Sequence, residues 1–150
     1  MSRRIAYWDT SALIPLCLLQ PQTTAARACF ARYEIVTWWA TPIEIVSGLT
    51  RLERMGAISH SHHLAMKPFV DKLVRDLMLV HESAGISSDA CSLLGLHPLR
   101  AADALQLAAA LEACEHQPRG FVFITADRRL ADAAKETGFT VEFLAAGIDR

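Results

Sequence analysis

Four acids stand where a buried charge would need a partner: Asp9, Glu44, Asp103 and Asp127. Asp9 ends the apolar run Ile5-Ala6-Tyr7-Trp8 and leads into Thr10, Ser11 and a second apolar stretch. A lone carboxylate buried there would cost several kcal/mol, unless Asp9 or Ser11 simply caps the helix that follows. Glu44 closes Thr41-Pro42-Ile43-Glu44, which fits a capping box with Pro at the first helical position. A first-turn Glu also projects past the helix end, so capping and chemistry do not exclude each other. Asp103 lies in the run Ala101–Leu111, which is apolar except for Asp103 and Gln106, with Arg100 just before it. Either these three form a narrow wet stripe, or a buried rod holds an acid over a cleft. Asp127 follows Phe121-Val122-Phe123-Ile124-Thr125-Ala126 and opens a helix, where it too reads as an N-cap. Asp132 and Asp149 read as ordinary solvated acids.

Each acid alone has a structural explanation. Four gathered at one end of one sheet would repel one another unless a divalent cation neutralised them. Oxygen ligands without His or Cys favour Mg²⁺ or Mn²⁺. Such an ion activates water and stabilises the charge that builds on a phosphodiester during hydrolysis.

The elements between the acids decide whether they meet. Residues 5–9, 34–38, 77–80, 121–125 and 140–143 read as strands. Helices are expected over 12–30 with a break near Gln20-Pro21-Gln22, over 41–55 stopped by Gly56, and over 59–76 with a kink or break at Pro68. Further helices are expected over 87–94 closed by Gly95, over 100–114, and over 128–137 ended by Gly138. Strands that alternate with helices, and are apolar throughout, predict a parallel sheet covered on both faces. In such sheets the functional crevice lies outside the carboxyl ends of the strands, where Asp9 and Asp127 fall.

The bulk composition restricts the alternatives. A chain of 150 residues, 52% hydrophobic and 21% charged, suits one compact domain with a sizeable core. The net charge of −1 excludes a generally basic nucleic-acid binder, leaving a local basic patch or a metal to attract phosphate. Arg100, Arg128 and Arg129 lie near the expected crevice, as phosphate contacts or as a solvated charged face. Cys17, Cys29, Cys91 and Cys114 are scattered and form no C-x-x-C pair, so they read as buried free thiols of a reducing cytosol. Asp9 interrupts the apolar stretch after Arg3-Arg4, which argues against a signal peptide. No run approaches the ~18 apolar residues of a membrane span, and a soluble, cytoplasmic protein is expected. His60, His62 and His63 lack a zinc spacing and read as a solvated helix start.

The stretches Tyr7–Ile14, Thr41–Glu44, Leu99–Ala108 and Phe123–Asp127 together resemble the PIN domain, in order and spacing, over essentially the whole chain. Within that family they are most similar to the short VapC-type toxins of bacterial toxin–antitoxin pairs. The resemblance implies a three-layer α/β/α fold with a parallel five-stranded sheet in the order 3-2-1-4-5. It also implies a Mg²⁺- or Mn²⁺-dependent endoribonuclease, a homodimer, and a small antitoxin whose tail occupies the site. By position, Asp9, Glu44 and Asp103 match the core acids and Asp127 the fourth, as metal ligands and catalytic residues. Thr10, Ser11 and Thr125 match the accompanying hydroxyls. Trp38-Trp39 stand where small and polar residues are common, and Pro15 stands where the first helix normally runs on. The expected partners are RNA, the antitoxin and a second copy, with no membrane and no specific DNA binding of the chain's own.

Two rival catalytic families fit less well. A haloacid-dehalogenase-type phosphatase needs a second Asp two residues after the first, where Ser11 stands. A receiver domain needs an Asp ending the third strand, which here runs into His81-Glu82. A third reading, a catalytically silent PIN-like binding module, is disfavoured by four intact acids. The tandem Trp38-Trp39 at the end of the second strand should point to opposite faces, one inward and the other toward the cleft or a partner, or else both belong to the core. Stacking on an unpaired base makes Trp39 a candidate substrate contact.

Overall fold

The computed structural model describes residues 2–147. Five strands form one parallel sheet: β1 (Arg4–Trp8), β2 (Tyr33–Trp38), β3 (Met78–Val80), β4 (Val122–Thr125) and β5 (Thr140–Phe143). Their order is β3-β2-β1-β4-β5, as expected. The chain winds outward from β1 through β2 to β3, then returns to place β4 against the other side of β1. The winding therefore reverses between β1 and β4, where open parallel sheets leave a crevice.

Seven helices cover the sheet: α1 (Thr10–Cys17), α2 (Thr23–Arg32), α3 (Thr41–Arg54), α4 (His60–Arg75), α5 (Ala84–Leu96), α6 (Ala101–Ala113) and α7 (Arg128–Thr137). The period of two along each strand divides the core. Ala6 and Trp8 of β1, with Val122 and Ile124 of β4, pack beneath α1 to α4. Tyr7 and Phe123, between them in sequence, stack with ring centroids 5.2 Å apart beneath α5 to α7. Residues 6–8 of β1 and all of β4 are buried on both faces, which is why Ala6–Trp8 and Val122–Ile124 read as unbroken apolar runs.

The first helical stretch breaks where expected, into two helices parted at residues 18–22, where the buried Thr23 hydroxyl lies 2.8 Å from the Pro15 carbonyl and 3.2 Å from the Leu18 carbonyl. Other local expectations are corrected. Pro68 breaks nothing: α4 runs through it without interruption, with Pro68 on its solvent side. Helix α5 begins three residues before Ser87, capped by the Ser83 hydroxyl (3.3 Å from Ile86 N), and passes through Gly95 to Leu96. Cys17, Cys29 and Cys114 are buried free thiols, but Cys91 is exposed. The start of α4 is solvated as expected, with His60 and His62 exposed and His63 half-buried. His60 and His63 both meet the Glu53 carboxylate, His60 at 2.6 Å, and so pin α4 to the end of α3. Asp132 is exposed as expected, and Asp149 lies outside the described residues.

Candidate active site

Asp9 follows β1 directly and N-caps α1, its Oδ2 accepting from Ser11 N at 3.1 Å. The Ser11 hydroxyl donates to the other oxygen at 2.9 Å. Capping does not use up this carboxylate, because each oxygen accepts one bond from Ser11 and has capacity for a second. Ser11 Oγ also accepts from Ala126 N (2.9 Å) and lies 3.2 Å from Thr125 Oγ1. The α1 start and the β4–α7 turn are thereby fastened across the switch point. Asp127 caps α7 by accepting from Leu130 N at 3.1 Å, while its own N–H donates to Thr125 Oγ1 at 3.0 Å. Thr125 is fully buried and meets no cleft; it holds Ser11 and Asp127 in place.

Glu44 departs from the capping-box reading. Residue 41 is the first helical position rather than the cap, and the cap residue Ala40 offers no side chain. Glu44 instead turns inward, with Oε2 accepting from Thr10 Oγ1 (3.1 Å) and Oε1 from Gln106 Nε2 (3.0 Å). Gln106 is 2% exposed and is the residue that sequence reasoning noted but gave no role. Its Oε1 accepts from the Tyr7 hydroxyl at 2.5 Å, which fixes the amide so that Nε2 faces Glu44. The two Nε2 protons are shared among Glu44, Thr10 and Thr41, the last two at 3.1 Å. Thr41 is 2.8 Å from Thr37, whose hydroxyl donates to Trp8 O at 2.7 Å. The proton directions are thus set along the whole chain of bonds. Its one visible signal in the sequence was a lone Gln on an apolar helix. Its partners lie on β1, α1, β2 and α3, beyond the reach of spacing rules.

Asp103 completes the group from α6, where its carboxylate accepts from Arg100 N at 3.3 Å. Asp9, Glu44, Asp103 and Asp127 line one cleft of about 410 Å³ together with Thr10 and Ser11. An adjoining hollow of about 490 Å³ is shared by Asp103, Asp127, Arg100, Arg128 and Arg129. Arg128 lies flat on Phe143, its Cζ 3.8 Å from the ring centroid. Trp38, the last residue of β2, is buried, and Trp39, in the turn that follows, is 38% exposed. Trp39 does not line the cleft; Ile43, four residues on, does.

Burial dominates the electrostatics. It pushes the Asp9 carboxyl up to about 7, against the Thr125 and Ser11 hydroxyls that favour its charge and with Asp127 adding repulsion. Burial also raises Glu44, opposed by the bonds from Thr10 and Gln106, and raises Asp103, opposed by the Arg100 amide. Carboxylates held in this way lack positive charge. The donors are hard oxygens only, which fits Mg²⁺ or Mn²⁺. Among the described residues no group of three or more His, Cys, Asp or Glu side chains is placed to hold a metal ion.

A parallel sheet in this order, with acids from both helical layers converging over its switch point, defines a class of α/β domain with an acid-lined crevice. The model of the PIN domain matches residues 6–136, and the chain belongs to that family, whose members are typically divalent-metal nucleases. No curated protein sequence matches it. Among solved structures it is similar to a chain of a toxin–antitoxin complex from Klebsiella pneumoniae, with TM-score 0.54 and 18% identity over 84% of this chain and 90% of that one. It is also similar to PAE2754 from Pyrobaculum aerophilum, with TM-score 0.57 and 19% identity over 86% of this chain and 79% of that one. No helix among the described residues is long and apolar enough to cross a membrane.

Proposed function

We propose that the chain, as a single PIN domain over residues 1–150, is a Mg²⁺- or Mn²⁺-dependent endoribonuclease and the toxin of a cytoplasmic toxin–antitoxin pair. The observation that carries this reading is Asp9. It is 5% exposed, yet it shares a solvent-open cleft with three further carboxylates brought from α3, α6 and the β4–α7 turn. Asp9, Glu44, Asp103 and Asp127 would surround the ion, one or two of them as direct ligands and the others through ligated water. When bound, the cation supplies a nucleophilic water near neutral pH and stabilises charge on the phosphoryl oxygens. The chain's own part is positioning. Ser11 aims Asp9, and Gln106 and Thr10 aim Glu44. Arg100 and Arg128, beside the acids, suit phosphate of the bound strand.

The structural likeness to a chain of a toxin–antitoxin complex supports a protein antitoxin as partner, and a homodimer is part of the same reading. Purified protein is expected to cleave single-stranded RNA with Mg²⁺ or Mn²⁺ and to stop in EDTA. Asp9→Asn and Asp103→Asn should each abolish cleavage while the far-ultraviolet circular dichroism is kept. Robust cleavage in EDTA, or near-normal turnover of either variant, would overturn the assignment. Co-expression with the product of the neighbouring reading frame, followed by sedimentation, tests the partner and the dimer.

A further inference from the structure

The acid cleft has a second neighbour, which shares no lining residue with the arginine hollow. This cavity, of about 300 Å³, shares Ser11, Ile14, Gly48 and Arg51 with the cleft and then extends to Gln20, Gln22, Leu52 and Ala126. None of the four acids lines it. Its volume falls at the lower end of the range for small-molecule pockets, roughly 300 Å³. Its walls divide by chemistry. Ile14 and Leu52 are aliphatic, Gln20 and Gln22 bring two primary amides, and Arg51 stands between this cavity and the acids.

These polar groups have no structural employment. Gln22 is the cap residue of α2, but its side chain makes no capping bond. Among the described residues, no side-chain hydrogen bond engages Gln20 or Gln22, and no ion pair engages Arg51. The loop that carries the amides is nevertheless firmly held. Gln20 N donates to Thr23 Oγ1 at 2.8 Å, and Gly147 N donates to Pro21 O at 2.7 Å. Gly48 of α3 faces the Ile14 side chain, whose Cδ1 would lie 2.7 Å from a Cβ placed there.

We infer that this cavity is a base-reading subsite for one nucleotide of single-stranded RNA, with Arg51 on its phosphate and Gln20 and Gln22 on the edge of the unstacked base. The inference rests on the nuclease reading and fixes the path of the strand. It runs from Arg100, Arg128 and Arg129, across the acids, to Arg51. The placement of charge favours such a path. Ionised carboxylates repel phosphate, and arginines on two sides of them would help hold a strand across the cleft. A carboxamide presents a donor and an acceptor side by side, which suits the edge of a splayed-out base. Two such amides on a rigid loop against an aliphatic wall make the cavity selective for one base.

The test is fluorescence anisotropy in EDTA, where metal-dependent chemistry is off, using labelled RNA octamers that carry each base in turn at every position. Wild type should prefer one base at one position. Arg51→Ala should weaken all octamers by about tenfold and lower the slope of log K against log salt by about one. Arg51→Lys should restore most of the affinity. Gln20→Ala/Gln22→Ala should flatten the base preference with little change in mean affinity. Wild-type binding without any base preference, or no binding at all, would overturn the subsite. So would an Arg51→Ala protein with unchanged affinity, or a double variant that keeps the preference. Cleavage in Mn²⁺ is scored separately on the same octamers. Selective binding without cleavage sinks the nuclease reading and leaves the subsite standing; cleavage with indifferent variants does the reverse.

Discussion

At the residue scale, Asp9 carries the clearest thermodynamic signature. Burial lifts its carboxyl to about 7 in the fold, against about 4 in an unfolded chain. Between these values the folded protein keeps a proton that the unfolded chain releases. This group's stabilisation is therefore complete below about pH 4 and is lost as pH rises through about 7. Asp9→Asn removes the dependence. In EDTA, the stability of the variant minus that of wild type should grow from pH 4 to about 7.5 and then level off. A rise of a few kcal/mol is expected, since each tenfold difference in proton affinity between fold and unfolded chain is worth about 1.4 kcal/mol. Thermal melts across that range measure it, and a difference that stays flat with pH would refute the buried-charge account.

Gln106 offers a second residue-level prediction. Gln106→Leu strands the Tyr7 hydroxyl and removes a donor from Glu44. The expected loss is about 1–3 kcal/mol for the unpaired buried group. The expected fall in Mn²⁺ affinity is about 10- to 100-fold, as for other residues that orient metal ligands. Calorimetric titration separates the two effects; unchanged Mn²⁺ affinity would leave Gln106 a packing residue only. The four acids were legible because each ends a strand or opens a helix. Gln106 was not, because its meaning comes from hydrogen bonds to residues more than sixty positions away.

At the scale of elements, the end of β2 separates two tryptophans that look equivalent in the sequence. Trp38 is 4% exposed and packs against Val80 and the α5–α6 layer, whereas Trp39 is 38% exposed. Trp38→Ala should cost about 3–5 kcal/mol by urea denaturation. Trp39→Ala should cost clearly less, and comparable losses would mean both are core. The strands were readable because burial on both faces leaves runs such as Phe121–Ile124 with nothing polar. Helix limits were less so. Thr41-Pro42-Ile43-Glu44 satisfies the capping-box pattern, but the buried Thr37 draws the Thr41 hydroxyl away. Pro68 marks a break by local rules, yet Met66, Val70 and Leu73 pack on the core and carry α4 across it.

At the scale of the whole molecule, a bound cation should act as a stabiliser. It would relieve the repulsion and desolvation that the cleft imposes on its acids, and a ligand specific to the folded state adds stability by mass action. At pH 8, Mn²⁺ at a hundred times its dissociation constant should add about 2.7 kcal/mol, seen as a raised melting temperature. Sodium chloride of equal ionic strength should not reproduce it. If it does, screening rather than a bound ion is responsible.

The late placement of β4 beside β1 has a consequence for the order in which the protein is made. A ribosome delivers Asp9, Glu44 and Asp103 well before Val122–Thr125 and the turn bearing Ala126 and Asp127. Until that segment leaves the exit tunnel, β1 lacks one of its two neighbours, and the Ser11 hydroxyl has no Ala126 amide to receive. A nascent chain therefore holds three of the acids without the latch that joins them. The cleft is completed only once β4 and the turn after it have emerged, so fragments left by stalled synthesis before β4 lack it.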